Sequence, residues 1–535
     1  MIPKKILFIA TALLLIGVGG CRKQLDINQN PNVAQEVTPA LLLPTAQLEI
    51  GSALGVDMNN NGSIWVQYWT QSPSASQYRT LERYQPTAST YDRVWGLFYT
   101  SALPDLKQMN KLATTANLKQ YQAISMLLMA YSFQLITDAW GDVPFKDALK
   151  GLPEEGSVLN PRFDRQDVIY DSLIQMTMTG MAMIDPGDVN LPSTDDIIYH
   201  GDMEKWARFG NTLLLKMYIR LSERNPARAQ AGITALFASP IGFIGEGDDA
   251  QINYSTSSGS ANPLAVEDRF LGQNQVASAT SADSLNSNND PRRLGFYTTS
   301  GTVVGLRQGA SVGQTGVTYT IPNPQTGANA GLVSGAVGQA ASSAPVKFLT
   351  SYESLLLQAE AVARGWDGGG SPDDDSTLFA QAVIANFRIY AADISPDILR
   401  DSFPGVTNSP VFTQTAEYAA IQYLGGDTLT GLVGGDPVVR DPGSYWGRYP
   451  VNGTIQQKIR HIITQKWFCM NGNQGFEAWT EWRRTGYPEF LIPAANNLTN
   501  DQFPNRFFYP DVEFSRNANF PGQPRITDRV WWDVN

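Results

Sequence analysis

The sequence predicts a mainly α protein in which pairs of amphipathic helices are interrupted by a loop-rich region with short strands. Three observations carry that reading. Apolar residues recur at a spacing of three and four, as in Tyr121, Ile124, Leu128, Tyr131 and Leu135. Composition then changes after about residue 240, and from Phe296 to Ala344 the only charged residue is Arg307. The 535 residues allow a large core, and 47 Gly, 32 Pro and 17% charged residues describe a globular chain with many loops.

Taken in order, the chain opens like a targeting segment. Lys4 and Lys5 are basic, Ile6 to Val18 is apolar but short of the ~20 residues a membrane span needs, and Gly19 and Gly20 precede Cys21. A cysteine there looks like a bacterial lipobox, so Cys21 is expected to be lipidated and to become the mature N-terminus. An Asn- and Pro-containing tether follows. Thr38-Pro39 starts a helix running through Leu54, and Ile64 to Thr70 is the next apolar run. Tyr91 to Leu112 and Leu118 to Thr137 read as a helix pair, closed by Gly141 and Pro144. Asp138 and Asp142 have the chemistry of metal ligands, but turn residues bonding nearby backbone are the commoner case. Asp164 is a plausible N-cap for the helix that follows Pro161. Met203 to Arg224 places Trp206, Phe209, Leu213, Met217 and Leu221 on one face, with His200 in the loop before it. Pro240 to Ala344 is expected to be loops with short strands, a polar uncharged surface that suits neutral sugars.

Helices resume at Ser351, where Tyr352, Leu355, Ala359 and Val362 repeat until Gly365 ends the segment. Asp367 to Asp375 lacks the ordered spacing of a calcium loop and is expected to be a solvated turn, with structural calcium left open and no other cofactor implied. Leu378 to Tyr390, Glu417 to Leu424 and Ile455 to Met470 complete the helices. From Phe476 the aromatics Trp479 and Trp482 recur every three residues, beside Glu477, Glu481 and Arg484 at i, i+4 and i+7. As chemistry, the two glutamates are a candidate carboxylate pair. As structure, they are an ion-paired seam with Arg484 as the intervening cation, the preferred reading because helix neighbours at i, i+4 rarely line both sides of a scissile bond. Gly486 and Pro488 stop that helix.

Composition excludes much else. With two Cys and two His in the whole chain, zinc clusters and a His-based triad are disfavoured. No HExxH, P-loop, GxSxG or dinucleotide fingerprint occurs. A net charge of −11 argues against nucleic acid as the main partner. A carboxylate-based glycosidase survives these tests.

Helix pairs in series suggest a solenoid-like scaffold, although no single repeat shows the tetratricopeptide consensus cleanly. Several strings together resemble the SusD/RagB-like outer-membrane lipoproteins. They are QKW from Gln465, GxEAWxExRRTGYP from Gly475, DxWGDVPF from Asp138, TSYESLLLQAEAVARGW from Thr350, HGDMEKWARFGN from His200, and DINxNPN from Asp26. The resemblance implies a SusD-like fold of tetratricopeptide-type helix pairs carrying a loop-rich subdomain. It divides the chain into a signal peptide at 1–20, a lipidated tether at 21–37 and one domain at 38–535. That domain holds scaffold at 38–239 and 345–490, an insertion at 240–344 and a tail at 491–535. It also implies a non-catalytic, lipid-anchored protein of the outer membrane that captures a glycan or peptide for a SusC-like TonB-dependent transporter. Arg22 and Lys23 stand where acidic residues commonly follow the cysteine of surface-exported relatives. The candidate ligand contacts are aromatics outside the most regular core faces, namely Trp65, Trp69, Tyr78 and Tyr84, with core packing as their competing role. The competing functions are an oligopeptide-binding member of the same family, a glycoside hydrolase, and a transporter partner without a ligand of its own.

Overall fold

The computed structural model describes residues 37–535 apart from 256, 258, 272–273, 298, 300, 311–315, 323–341, 391–418, 421–422 and 425–445, and apart from the side chains of 268–271. Cys21, the signal segment and all of the tether but Val37 lie outside the described residues, as do half of the expected helix at Glu417 to Leu424 and much of the last third of the insertion.

Helix α1 (Pro39–Ser52) begins with Pro39 in the first turn, where a missing N–H costs nothing. It does not stop near Leu54: one π-helical turn, Ala53–Met58, joins it to α2 (Asn59–Trp65). Gly55 lets this run lie close on its neighbour, since a Cβ there would meet Val346 Cγ2 at 2.6 Å. The apolar run at Ile64 to Thr70 is divided between α2 and strand β1 (Trp69–Gln71). The single helix expected over Tyr91 to Leu112 is broken into Asp92–Gly96, a second π turn at Leu97–Ala102, and α3 (Leu103–Thr115). Pro104 explains the break, because it offers no N–H to the Thr100 carbonyl and its ring crowds that turn.

Helix α4 (Lys119–Trp140) is buried on nearly every side in its second half and packs against α1 and α3. After Gly141, at φ +81°, strand β2 (Val143–Pro144) pairs antiparallel with β3 (Phe163–Asp164). That pairing corrects the expected cap. Asp164 lies in the strand, where its Oδ2 accepts from the Lys146 N–H at 2.7 Å, and the first N–H of α5 (Gln166–Met181) is instead bonded by Asp142 Oδ1 at 2.9 Å. Helix α6 (Met203–Arg220) is capped by Asp202 and ends four residues short of the expected Arg224; α7 (Pro226–Phe237) is capped by Asn225. Both α5 and α6 pack on α4.

The insertion holds more helix than loops with short strands would give. Strand β4 (Ala250–Ile252) is followed by α8 (Pro263–Leu271), β5 (Gln275–Ala277) and α9 (Ala279–Ser287). Its strands tie it to the scaffold: β5 pairs antiparallel with β1, and β4 with β6 (Val346–Leu349). Helix α10 (Ser351–Ala363), capped by Thr350, pairs with α11 (Asp375–Tyr390). Between them Asp367 Oδ2 accepts from the Gly369 N–H at 3.1 Å, the geometry of a turn. Helix α12 (Ile455–Cys469), with a Thr454/Gln457 capping box, leads into α13 (Gly475–Thr485), which Gly486 closes at φ +74°. The tail carries a short helix α14 (Asp511–Arg516) and returns Phe507 and Trp532 to the core. The architecture is mainly helical, as the sequence predicts. Among the described residues no helix is long and apolar enough to cross a membrane.

Candidate functional site

The carboxylate pair of α13 belongs to the core. Glu477 and Glu481 are buried, and all four of their oxygens face cations. Lys216 Nζ lies 2.8 Å from Glu477 Oε2, and Arg220 Nη2 donates to Glu477 Oε1 at 2.8 Å. The other Arg220 Nη reaches Glu481 Oε1, and Arg484 Nη2 donates to Glu481 Oε2 at 2.6 Å. The expected seam is therefore present, but the cations facing both glutamates are Arg220 of α6 and, at 3.9 and 3.6 Å, Lys466 of α12, while Arg484 also forks onto Glu360 of α10. Burial would raise both glutamates; Arg220 for Glu477 and Arg484 for Glu481 outweigh it and hold both below the usual carboxylate range. Acids so held, buried and ion-paired on every oxygen, are unsuited to proton transfer.

Asp138 joins the same network and is not a turn residue bonding nearby backbone. It lies in the last turn of α4, fully buried, accepting from Tyr170 Oη at 2.5 Å and Trp532 Nε1 at 2.8 Å, with Arg220 Nε at 3.3 Å. Asp142 does bond backbone, as described above for α5. Among the described residues no cluster of His, Cys, Asp and Glu has the geometry of a metal site.

Three of the four candidate aromatics are core residues. Trp65 packs edge-on to Trp479 at 4.9 Å between centroids and donates to the Leu81 carbonyl at 3.1 Å. Trp69 is fully buried in β1, and Tyr84 is 2% exposed with its hydroxyl accepting from the Ala494 N–H at 2.9 Å. A ring covered on both faces offers nothing for a sugar to stack on, so these three are corrected to packing roles.

Tyr78 differs. It is half-buried beside the first π turn, where its hydroxyl donates to Glu267 Oε1 at 2.9 Å and accepts from Asn60 Nδ2 at 3.3 Å. Gln275 Nε2 supports Asn60 from below at 3.4 Å. Asn61 donates to the Asp57 carbonyl at 2.6 Å, while its own Oδ1 has no partner. Asp57, half-buried and paired with exposed Arg93, is pushed up to about 6, first by burial and further by Glu267, against the pull of Arg93. The result is an aromatic ring whose hydroxyl meets a carboxylate and an amide, with the Asp57–Arg93 pair near that carboxylate, a set able to bind hydroxyl groups. A π turn explains the convergence: the wider turn re-aims Asp57 and the asparagines after it relative to a continuing α-helix. The reading of the sequence missed Asp57, Asn60, Asn61 and Glu267. One signal was available, because three consecutive asparagines inside a helix run against propensity.

These features define a helical-repeat scaffold with a short-stranded insertion clamped to its first helices. SusD-like proteins, a family described as starch-binding and associating with the outer membrane, match residues 31–510, and the chain belongs to that family. Its fold is similar to that of a chitin-binding protein at 22% identity, covering 93% of this chain and 100% of the other with a TM-score of 0.68. A SusD homologue from Bacteroides uniformis is similar at 21% identity, 92% and 99% coverage and a TM-score of 0.68. A chitin-binding SusD homologue from Flavobacterium johnsoniae gives 20% identity, 93% and 97% coverage and 0.68. No curated protein matches the chain.

Proposed function

We propose that this chain is a non-catalytic glycan-capture lipoprotein of the cell surface, anchored through Cys21, that passes its ligand to a TonB-dependent outer-membrane transporter. The observation that carries the ligand reading is Tyr78, a half-buried ring whose hydroxyl is fixed between Asn60 and Glu267. Stacking on one face and directional hydrogen bonds at its edge suit a sugar ring, and need no chemistry. The family description and the chitin-binding relatives support the same ligand class.

The test is a binding screen of the detergent-solubilised full chain against polysaccharides and peptides, with product analysis alongside. Binding of a glycan without new reducing ends is expected, and Tyr78→Ala should weaken it by about 1 kcal/mol, roughly five-fold. Peptide binding in place of glycan binding would replace the ligand class. A hydrolytic reading has one specific observation behind it, the raised carboxyl of Asp57 near Glu267. New reducing ends that vanish in Asp57→Asn would overturn non-catalytic capture.

A further inference from the structure

A cavity of about 420 Å³ opens between the end of α13 and the C-terminal tail, and none of the residues described around Tyr78 lines it. Trp482 forms one wall, half-buried, with Phe503 tilted against it at 4.5 Å between centroids. Cationic charge exceeds anionic charge on the remaining walls. Arg483 is buried, with Nη1 donating to the carbonyls of Asp138 at 2.7 Å and Asn505 at 2.9 Å and Nη2 to Thr480 Oγ1 at 3.0 Å, but its Nε has no partner and no carboxylate neutralises it directly. Arg529 is exposed on the rim, with no ion pair among the described residues. Among the side chains of the wall the one carboxylate, Asp533, is itself buried and pushed up to about 6 by burial, against the pull of Arg483 and Arg529.

A flat indole face beside an unpaired guanidinium defines a ligand with two ends, one apolar ring face and one anionic group. A small inorganic anion would leave the Trp482 wall untouched, and a neutral sugar would leave Arg529 unused. We propose that this cavity binds a carboxylate-bearing sugar, a uronate unit whose ring lies on Trp482 and whose carboxylate pairs with Arg529. Arg483, behind the wall, adds positive field and holds the floor through Asn505. The ligand class rests on the glycan reading above; the site is separate from Tyr78.

The experiment is calorimetric titration of the detergent-solubilised full chain with methyl glucuronide, methyl glucoside and acetate. Methyl glucuronide should bind, with methyl glucoside weaker by roughly ten-fold or more, the value of one charge-assisted hydrogen bond, and acetate weaker by roughly ten-fold because it has no ring to lie on Trp482. Arg529→Gln, an exposed change that leaves the thermal midpoint in place, should remove that ten-fold preference, and Trp482→Ala should weaken both sugars. Equal affinity for the glucoside, acetate binding as tight as the glucuronide, an unchanged preference in Arg529→Gln, or no binding of any probe would each overturn the proposal. Polysaccharide retention through Tyr78, measured in parallel, reports on the capture reading by itself.

Discussion

Replacing Arg220 with Met tests what the buried charges of α6, α10 and α13 do. Arg220 is 1% exposed and serves Glu477, Glu481 and Asp138 at once. Methionine keeps much of its volume and removes only the cation. The three carboxylates are not left bare: Glu477 keeps Lys216, Glu481 keeps Arg484, and Asp138 keeps the Tyr170 hydroxyl and the Trp532 indole. The expected loss is therefore that of one broken buried pair, about 3–5 kcal/mol, and not three times that. Against a total of about 5–15 kcal/mol, that is enough to lower the urea midpoint severely. The assay is urea unfolding of both proteins, followed by tryptophan fluorescence and circular dichroism. Adding Glu477→Gln to Arg220→Met should return part of the loss, because the uncompensated charge is then gone. A midpoint for Arg220→Met within about 0.5 kcal/mol of the parent would refute the reasoning and make these contacts ornamental, as exposed ion pairs often are.

Two further predictions concern stability. Burial would raise Glu360, Glu477 and Glu481, but Arg484, Arg220 and Arg484 respectively outweigh it, so their stabilisation is complete above the ordinary value of 4.5 and is lost as pH falls through the lowered values. Glu353, Asp57 and Asp533 are raised, the two aspartates to about 6, and act in the opposite sense, favouring the folded state as pH falls from 7 towards 5. Thermal midpoints taken between pH 3 and 8 should peak near pH 5 and drop steeply below 4.5; a flat profile down to pH 3 would contradict this. At the crossing of α2 and α13, a Cβ on Gly62 would sit 2.2 Å from the Gly475 carbonyl carbon, with backbone on the other side unable to yield. Gly62→Ala should cost more than the ~1–3 kcal/mol of ordinary overpacking, read as loss of soluble, cooperatively melting protein.

Much of the scaffold was legible because amphipathic periodicity is local. A chain segment such as Met203 to Arg220 or Lys119 to Trp140 declares its buried face through residues three and four apart, and Gly486 announces a helix end through its own backbone freedom. The π turns were less legible, since their cause lies partly in Pro104 and partly in close approach at Gly55, where the neighbour is Val346. Polar partners were the least legible. The i, i+4 spacing of Glu477 and Glu481 required a cation, yet spacing favours the nearest one in sequence, Arg484, over Arg220, which lies 257 residues from Glu477. Likewise Asp164 stands where a cap is expected, and the strand pairing hands that task to Asp142.

By itself, then, the sequence determined most of the scaffold helices, that its carboxylates needed partners, and which family the chain belongs to. Only the tertiary structure decided which charges meet, and that Trp65, Trp69 and Tyr84 are buried where Tyr78 is half-buried. The reason is physical: helix formation depends on neighbours along the chain, whereas burial and ion pairing depend on what other segments bring to the same place.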